Sequence, residues 1–456
     1  MEEALNEKAT HHMNQELLIH SLQNEDIQMF REEFLKLHPY DQASFFKELD
    51  EETRERIYYY LSPEEMATLF ENLEMDEGYQ DVLAEMNPNY AAEMISKMYV
   101  DDAVDVLNEL EKDQVVSYLT IMDEEAAQEI KDLLHYEEYT AGSIMTTDFV
   151  SISANQTVRS AMYILKKEAP KAETIYYIYV LDDDKRLAGV ISLRDLIVND
   201  DDTMISEITN DRIVSVSVGD DQEEVARKIK DYNFLALPVV DFQNHLLGII
   251  TVDDVMDVME EEASDDYSKL AAVSDMDTID RSPLYAAKKR LPWLIILLYL
   301  GMGTASLAAR FEETLEKAAI LGAFITLIAG MAGNTGTQAL AVVVRGIATG
   351  DLEKESKLKL ILREAGTGLI TGTICGILVT ITIFIWKGNL FLGILVGISI
   401  FCTLIVATIA GAFIPLAMHK FKIDPAVASG PFITTINDII SILIYFSIAN
   451  MFLSFF

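Results

Sequence analysis

The chain has 456 residues, half of them hydrophobic, and a formal net charge of −39. The charge is unevenly spread: residues 1–280 hold 21 Lys+Arg against 65 Asp+Glu, while residues 281–456 hold 14 against 9. A strongly acidic half joined to a mildly basic, apolar half excludes the basic footprint of a nucleic-acid binder and makes multivalent cations the natural counter-charge. The two cysteines, Cys375 and Cys402, both lie in the apolar half, so no disulfide or Cys-metal framework is expected.

The opening stretch "MEEALNEKATHHMNQELL" has neither the basic nor the apolar segment of a signal peptide, which places the acidic half in the cytosol. His11 and His12 read as tail rather than as metal ligands. Residues 1–135 are expected to form an acidic, α-helical, solenoid-like domain of short amphipathic helices. Phrases such as "YAAEMISKM" place apolar residues at i, i+3 and i+4, and "HPYDQ", "LSPEEM" and "MNPNY" mark helix starts. No catalytic constellation is present, so the chain is not read as an enzyme. One helix carries the acidic phrase "VDDAVD", with Asp101, Asp102 and Asp105.

Residues 136–260 contain an internal repeat. "VSISANQTVRSAMYIL…YYIYVLDDDKRLAGVISLRDLI" aligns with "VSVSVGDDQEEVARKI…FLALPVVDFQNHLLGIITVDDVM", each copy reading as strand, helix, strand, turn, strand and closing helix. Two such copies resemble a tandem CBS pair of α/β structure, a module that often binds adenine nucleotides. That resemblance implies ATP as a regulatory ligand, with Tyr177 on the base and Arg194 and Asp195 on phosphate and ribose. The alternative is that "SLRD" only caps its helix, Ser192 pairing with Asp195.

The connector, residues 261–285, belongs to the most acidic stretch of the chain, "TVDDVMDVMEEEASDDYSKLAAVSDMD". Its carboxylates fall on nearly every face of what should be one helix, and like charges three or four residues apart destabilise a helix by a few tenths of a kcal/mol each. A charge run of this kind is usually a solvated face. Here carboxylates from separate domains are instead read as sharing a divalent cation that prefers oxygen ligands.

Residues 286–456 contain five stretches long enough to span a bilayer core, near 292–311, 319–344, 366–386, 390–418 and 427–453. Lys288, Lys289 and Arg290 precede the first, several basic residues lie between the second and third, and Lys420 and Lys422 follow the fourth. This pattern puts the acidic half inside and the C-terminus outside. "GTGLITGTICG" reads as close helix packing. "GNTGTQ" and "SGPFITTIND" differ, because they gather Gly, Asn, Thr and Gln at membrane depth, where broken backbone is tolerated only if buried in protein or lining a wet path. Gly333, Asn334, Thr335, Gln338, Ser429, Gly430, Thr434 and Thr435 are therefore pore-lining candidates. Asp438 is an ionisable group in mid-span with no Lys or Arg on its own span to pair with. It reads as a cation ligand on a pathway, or else as a protonated structural carboxyl.

"GNTGTQ" and "DPAVASGPFITTINDI", on the second and fifth of five C-terminal spans behind an acidic helical domain and a tandem repeat, resemble the MgtE family of magnesium channels over the whole chain. Ser441 departs from the family pattern, which carries a glycine there. The resemblance implies a multi-pass plasma-membrane channel for Mg²⁺ that cytosolic Mg²⁺ closes. Asp254, Asp257, Glu262, Asp265 and Asp266 would hold regulatory ions, with Asp424 as their membrane-side partner. A homodimer surrounded by lipid would bring two Asp438 carboxylates together on its axis. Glu364, at the start of the third span, is a weaker candidate for supporting the pore helices. The alternatives are a secondary divalent-cation transporter coupled to Na⁺ or H⁺, and a membrane-anchored sensor without transport.

Overall fold

A computed structural model of the chain describes residues 15–73, 79–273, 282–317, 319–350, 352 and 356–452. His11, His12 and connector residues 274–281 lie outside the described residues. The chain divides into two compact units, Met1–Val258 and Met259–Phe456.

In the first unit, helices from Ile27–Phe34 to Glu124–Leu133 follow one another at short intervals. Their starts are those the sequence marks. His38, Ser62 and Asn87 are N-caps, each followed by a proline at the first helical position, where the missing N–H costs nothing. Ser62 and Glu65 form a reciprocal capping box, a device whose removal costs about 1 kcal/mol. Phe30, Phe34, Phe46, Ile57, Met66, Leu69 and Phe70 are fully buried along this array.

The repeat folds twice the same way. Strands β1 (Phe149–Ser153), β2 (Thr174–Leu181) and β3 (Leu187–Ser192) form one sheet. Strands β4 (Val216–Ser217), β5 (Ala236–Val240) and β6 (Leu246–Thr251) form the other. In each sheet the first strand runs parallel and the third antiparallel to the central one. The crossover helices are Val158–Glu168 and Gln222–Tyr232. Val225, Ile229, Leu237 and Ile250 of the second copy join the same apolar core as the helical array. The first copy keeps a core of its own around Val150, Ile178 and Ile191. The second copy is therefore the one fastened to the helical array.

The acidic connector is a helix, Val252–Leu270. It begins directly on β6, inside the predicted repeat, and ends before 285: a new helix starts at Pro283, capped by Ser282.

Among the described residues, the second unit contains five helices long and apolar enough to cross a membrane: Pro283–Ala309, Ala319–Ala348, Lys357–Lys387, Leu390–Lys420 and Gly430–Met451. The third and fourth form a hairpin closed by Gly388 in the left-handed region and Asn389 as N-cap. Their glycines sit at the contact: a Cβ on Gly372 would lie 2.9 Å from Phe401 O, and one on Gly376 2.8 Å from Gly397 O. Small residues here let two backbones touch. "GNTGTQ" is not a break. It lies within the continuous helix Gly322–Ala348, whose backbone groups are satisfied internally. The irregular backbone falls before the fifth span instead, as the 3₁₀ turn Pro425–Val427 followed by the Ser429 cap.

Candidate metal centre

Three carboxylates distant in sequence meet in the first unit. Asp101 comes from the helix Val100–Asn108, Glu173 from the residue before β2, and Asp254 from the first turn of the connector helix. One oxygen of each lies within 4.8 Å of the others. Asp254 is held by a helix cap: Thr251 Oγ1 donates to its Oδ2 at 2.5 Å and Thr251 N at 3.3 Å. The first copy repeats this at Ser192 and Asp195, so Asp254 occupies the position that repeat symmetry assigns to a cap. Asp101 is buried, with 7% of its surface exposed.

The electrostatics of this cluster are unfavourable as it stands. Burial, then the Asp254 charge, pushes the Asp101 carboxyl well above the usual carboxylate range. Burial with Glu71 and Asp254 pushes Asp102 up to about 8. Burial with Asp254 raises Glu173 to about 7, and burial also raises Asp254. Asp101 Oδ1 and Glu173 Oε2 have no hydrogen-bond partner among the described residues. Buried carboxylate oxygens without donors are costly, and an oxygen-seeking divalent cation is the group their chemistry fits. Asp105 and Asp257 are exposed and lie outside the trio. Sequence reasoning missed Glu173, which carries no motif; it is legible only as the acid just before a central strand.

In the second unit the connector's last turn is docked. Ser268 and Ala272 are buried, and Leu270 packs with Leu340, Val344, Ala426 and Ile433. Lys269 Nζ donates to Asp424 Oδ2 and also pairs with Asp265. A lysine ammonium thus lies between two carboxylates that the sequence reading gives to Mg²⁺. Asp266 is pushed up to about 6 by burial, then by Asp424 and Glu262. These four carboxylates form a second acidic group, already partly neutralised by the protein's own cation.

In the membrane helices the two polar motifs face one another. A Cβ on Gly333 would lie 2.7 Å from Thr434 Cγ2, and the Thr337 and Thr434 hydroxyls are 3.4 Å apart. Gly430 abuts Thr337 and the Leu270 carbonyl. Thr434 and Thr435 donate back to the carbonyls of Gly430 and Pro431, and Ser441 to that of Asp438. Ser429 and Gly430 are buried, Thr335 and Asp438 half-buried, Asn334 and Gln338 exposed. Asn334 and Gln338, one helical turn apart, leave a polar strip that no neighbour among the described residues covers. Glu364 is buried, 7% exposed.

At the nucleotide candidate, Tyr177 of β2 stands opposite Ser192 of β3 in the antiparallel register, which brings it beside the "SLRD" turn. Asp195 is engaged as a cap, its Oδ2 accepting from Ser192 N at 2.8 Å and Ser192 Oγ at 2.6 Å. Arg194 is exposed. The capping role is therefore present, and strand register sets Tyr177 across from the turn that carries Arg194 and Asp195.

Comparison with known proteins agrees with this architecture. Residues 37–139 match the MgtE intracellular N domain, 141–200 and 205–261 the CBS domain, and 325–448 the MgtE divalent cation transporter domain. The chain is 55% identical over 442 residues to the magnesium transporter MgtE of Enterococcus faecalis, covering 96% of this chain and 97% of that protein. It is 41% identical over 432 residues to that of Bacillus subtilis, covering 95% and 96%. Among solved structures it is similar to the soluble part of a magnesium transporter, at 57% identity and a TM-score of 0.54, over 56% of this chain and 99% of that one. It is also similar to the cytosolic domain of the Mg²⁺ channel MgtE in complex with ATP, at 38% identity and a TM-score of 0.51, over 54% and 99%. The chain belongs to the MgtE family, whose named members here are magnesium transporters and not enzymes.

Proposed function

We propose that this chain is a Mg²⁺ channel of the plasma membrane, working as a homodimer, and that cytosolic Mg²⁺ held between its acidic elements closes it. The observation that carries the regulatory part is the meeting of Asp101, Glu173 and Asp254, with two buried carboxylate oxygens lacking a donor among the described residues. A divalent cation supplies the positive charge this trio lacks and takes the carboxylate oxygens as ligands. With the trio neutralised, the helical domain and the repeat stay docked; with it charged, like charges near one another in a poorly solvated site favour parting. Regulation requires that the ion bind the docked arrangement better than the parted one. Asp102 is close enough to feel the same field, and Asp105 and Asp257 extend it at the surface. The connector helix, Val252–Leu270, carries Asp254 in its first turn, and its last residue, Leu270, packs with Ile433 in the first turn of the fifth span. Glu262, Asp265, Asp266 and Asp424 form the second regulatory group at that end.

For transport, Asp438 is the pore carboxylate. Two copies facing across a dimer axis would hold a hydrated Mg²⁺, which dehydrates reluctantly. Asn334 and Gln338 continue the polar path, with Gly333, Thr335, Thr434, Thr435, Ser429 and Gly430 shaping it. The C-terminus lies outside, by the distribution of basic loops. ATP at Tyr177, Arg194 and Asp195 is a regulatory ligand, supported by the ATP complex of the similar cytosolic domain. The test is reconstitution into liposomes: wild type conducts Mg²⁺ without any Na⁺ or H⁺ gradient, and Asp438→Asn abolishes the flux. Flux that requires a counter-ion gradient overturns the channel reading in favour of coupled transport. An Asp438→Asn variant with unchanged flux overturns the pore assignment.

A further inference from the structure

The residue before the pore carboxylate is unusual in its surroundings. Asn437 is wholly buried, and its Nδ2 donates to Ala332 O on the second span at a long 3.4 Å. Its Oδ1 has no hydrogen-bond partner among the described residues. As a hydrogen bond this is weak, and as a buried amide it costs free energy. Its steric fit is close. The side chain occupies a notch that exists because residue 336 is glycine: a Cβ there would lie 1.8 Å from Asn437 Nδ2 and 3.1 Å from its Cγ. The fourth span closes the other side, since a Cβ on Gly411 would lie 2.3 Å from Gly336 O.

We propose that Asn437 is a positioning residue: its side chain, keyed into the Gly336 notch, fixes the rotation of the fifth span and so aims Asp438 at the ion path. Ile433, Asn437 and Ser441 are buried on one stripe of that helix. Asp438, one residue on, points about 100° away from the notch. A carboxylate about 6 Å from the helix axis moves about 2 Å when the helix turns by about 20°. Function-bearing groups need placement within about 0.5 Å. The notch therefore sets selectivity rather than mere folding. This inference rests on Asp438 being the pore ligand.

The test is a size-swap cycle on the full chain in liposomes, read as the ratio of Mg²⁺ to Ca²⁺ flux. Asn437→Ala and Gly336→Ala each lower the ratio by about tenfold, a loss of about 1.4 kcal/mol of discrimination. In Gly336→Ala/Asn437→Ala the new methyl fills the space left by the amide, and the ratio recovers to within about threefold of wild type. A double variant no better than the singles, or Asn437→Ala with an unaltered ratio, overturns the proposal. Should Gly336→Ala fail to yield folded protein, Asn437→Ala and the milder Asn437→Ser decide it by the same ratio. Asp438→Asn run alongside separates the two failures: if it retains flux, the pore assignment falls; if it is dead and the swap shows no coupling, only the positioning role falls.

Discussion

Replacing Asp102 with asparagine removes an ionisable carboxyl next to the buried trio, and with it the cost of protonating that carboxyl on folding, while keeping the side chain's shape. In the folded protein this carboxyl is pushed up to about 8, first by burial and then by Glu71 and Asp254. At pH 7 folding must therefore protonate a group whose unfolded value is near 4, at about 1.4 kcal/mol per pH unit, an upper bound of about 4 kcal/mol. Asp102 keeps part of its surface in water, and screening reduces that to about 2 kcal/mol. For a unit of this size each kcal/mol moves the melting midpoint by about 2–4 °C, so Asp102→Asn should raise it by about 4–8 °C in EDTA at pH 7. Calorimetry of the detergent-solubilised chain is the assay. Both tryptophans, Trp293 and Trp386, lie in the membrane helices, so their fluorescence would not follow the first unit. Saturating Mg²⁺ should stabilise wild type more than the variant. A midpoint in EDTA that is unchanged or lower refutes the claim that uncompensated buried charge strains this region.

Other expectations follow from the same structure. Because Asp102 and Glu173 have folded values above their unfolded ones, they contribute stability below about pH 4 that is lost as pH rises through about 7–8. Cation-free protein should melt progressively lower between pH 5 and 8, and a flat profile would contradict the shifts. Gly372→Val places a branched side chain where even a Cβ would sit 2.9 Å from Phe401 O; overpacking of this kind costs about 1–3 kcal/mol and should lower the yield of monodisperse protein, whereas an unaffected yield would show the helix pair has slack. Lys269→Gln removes the cation between Asp265 and Asp424 and should tighten the weaker of the Mg²⁺ binding events in titration calorimetry several-fold. An identical isotherm would remove this acidic group from the regulatory sites.

The sequence makes local features legible and leaves long-range meetings hidden. The caps at Ser62 and Asn87, the strand–helix–strand repeat and the five spans are set by neighbours a few residues apart, so pattern and turn chemistry find them. The trio is different: Asp101, Glu173 and Asp254 come from three elements joined by tertiary packing, and Glu173 has no local signature. Lys269 reads as one base in an acidic run until the fold sets it against Asp424. Asn437 shows how little adjacency in sequence says about direction in space. It lies beside Asp438 in sequence, yet the helical turn of about 100° per residue sends its side chain into the Gly336 notch and leaves Asp438 half-exposed. The unbroken helix through "GNTGTQ" has a related cause, since its glycines serve contact with Thr434, Asn437 and the fourth span rather than a change of backbone direction.

The central claim is that cations held by the acidic elements close the path guarded by Asp438. Patch-clamp recording with graded cytosolic Mg²⁺, on wild type and on Asp101→Asn/Asp254→Asn, tests it most directly. The account predicts that wild-type current falls as cytosolic Mg²⁺ rises, and that the variant needs at least about tenfold more Mg²⁺ for the same closure, a loss of about 1.4 kcal/mol of coupling. Closure of both at the same concentration would contradict it.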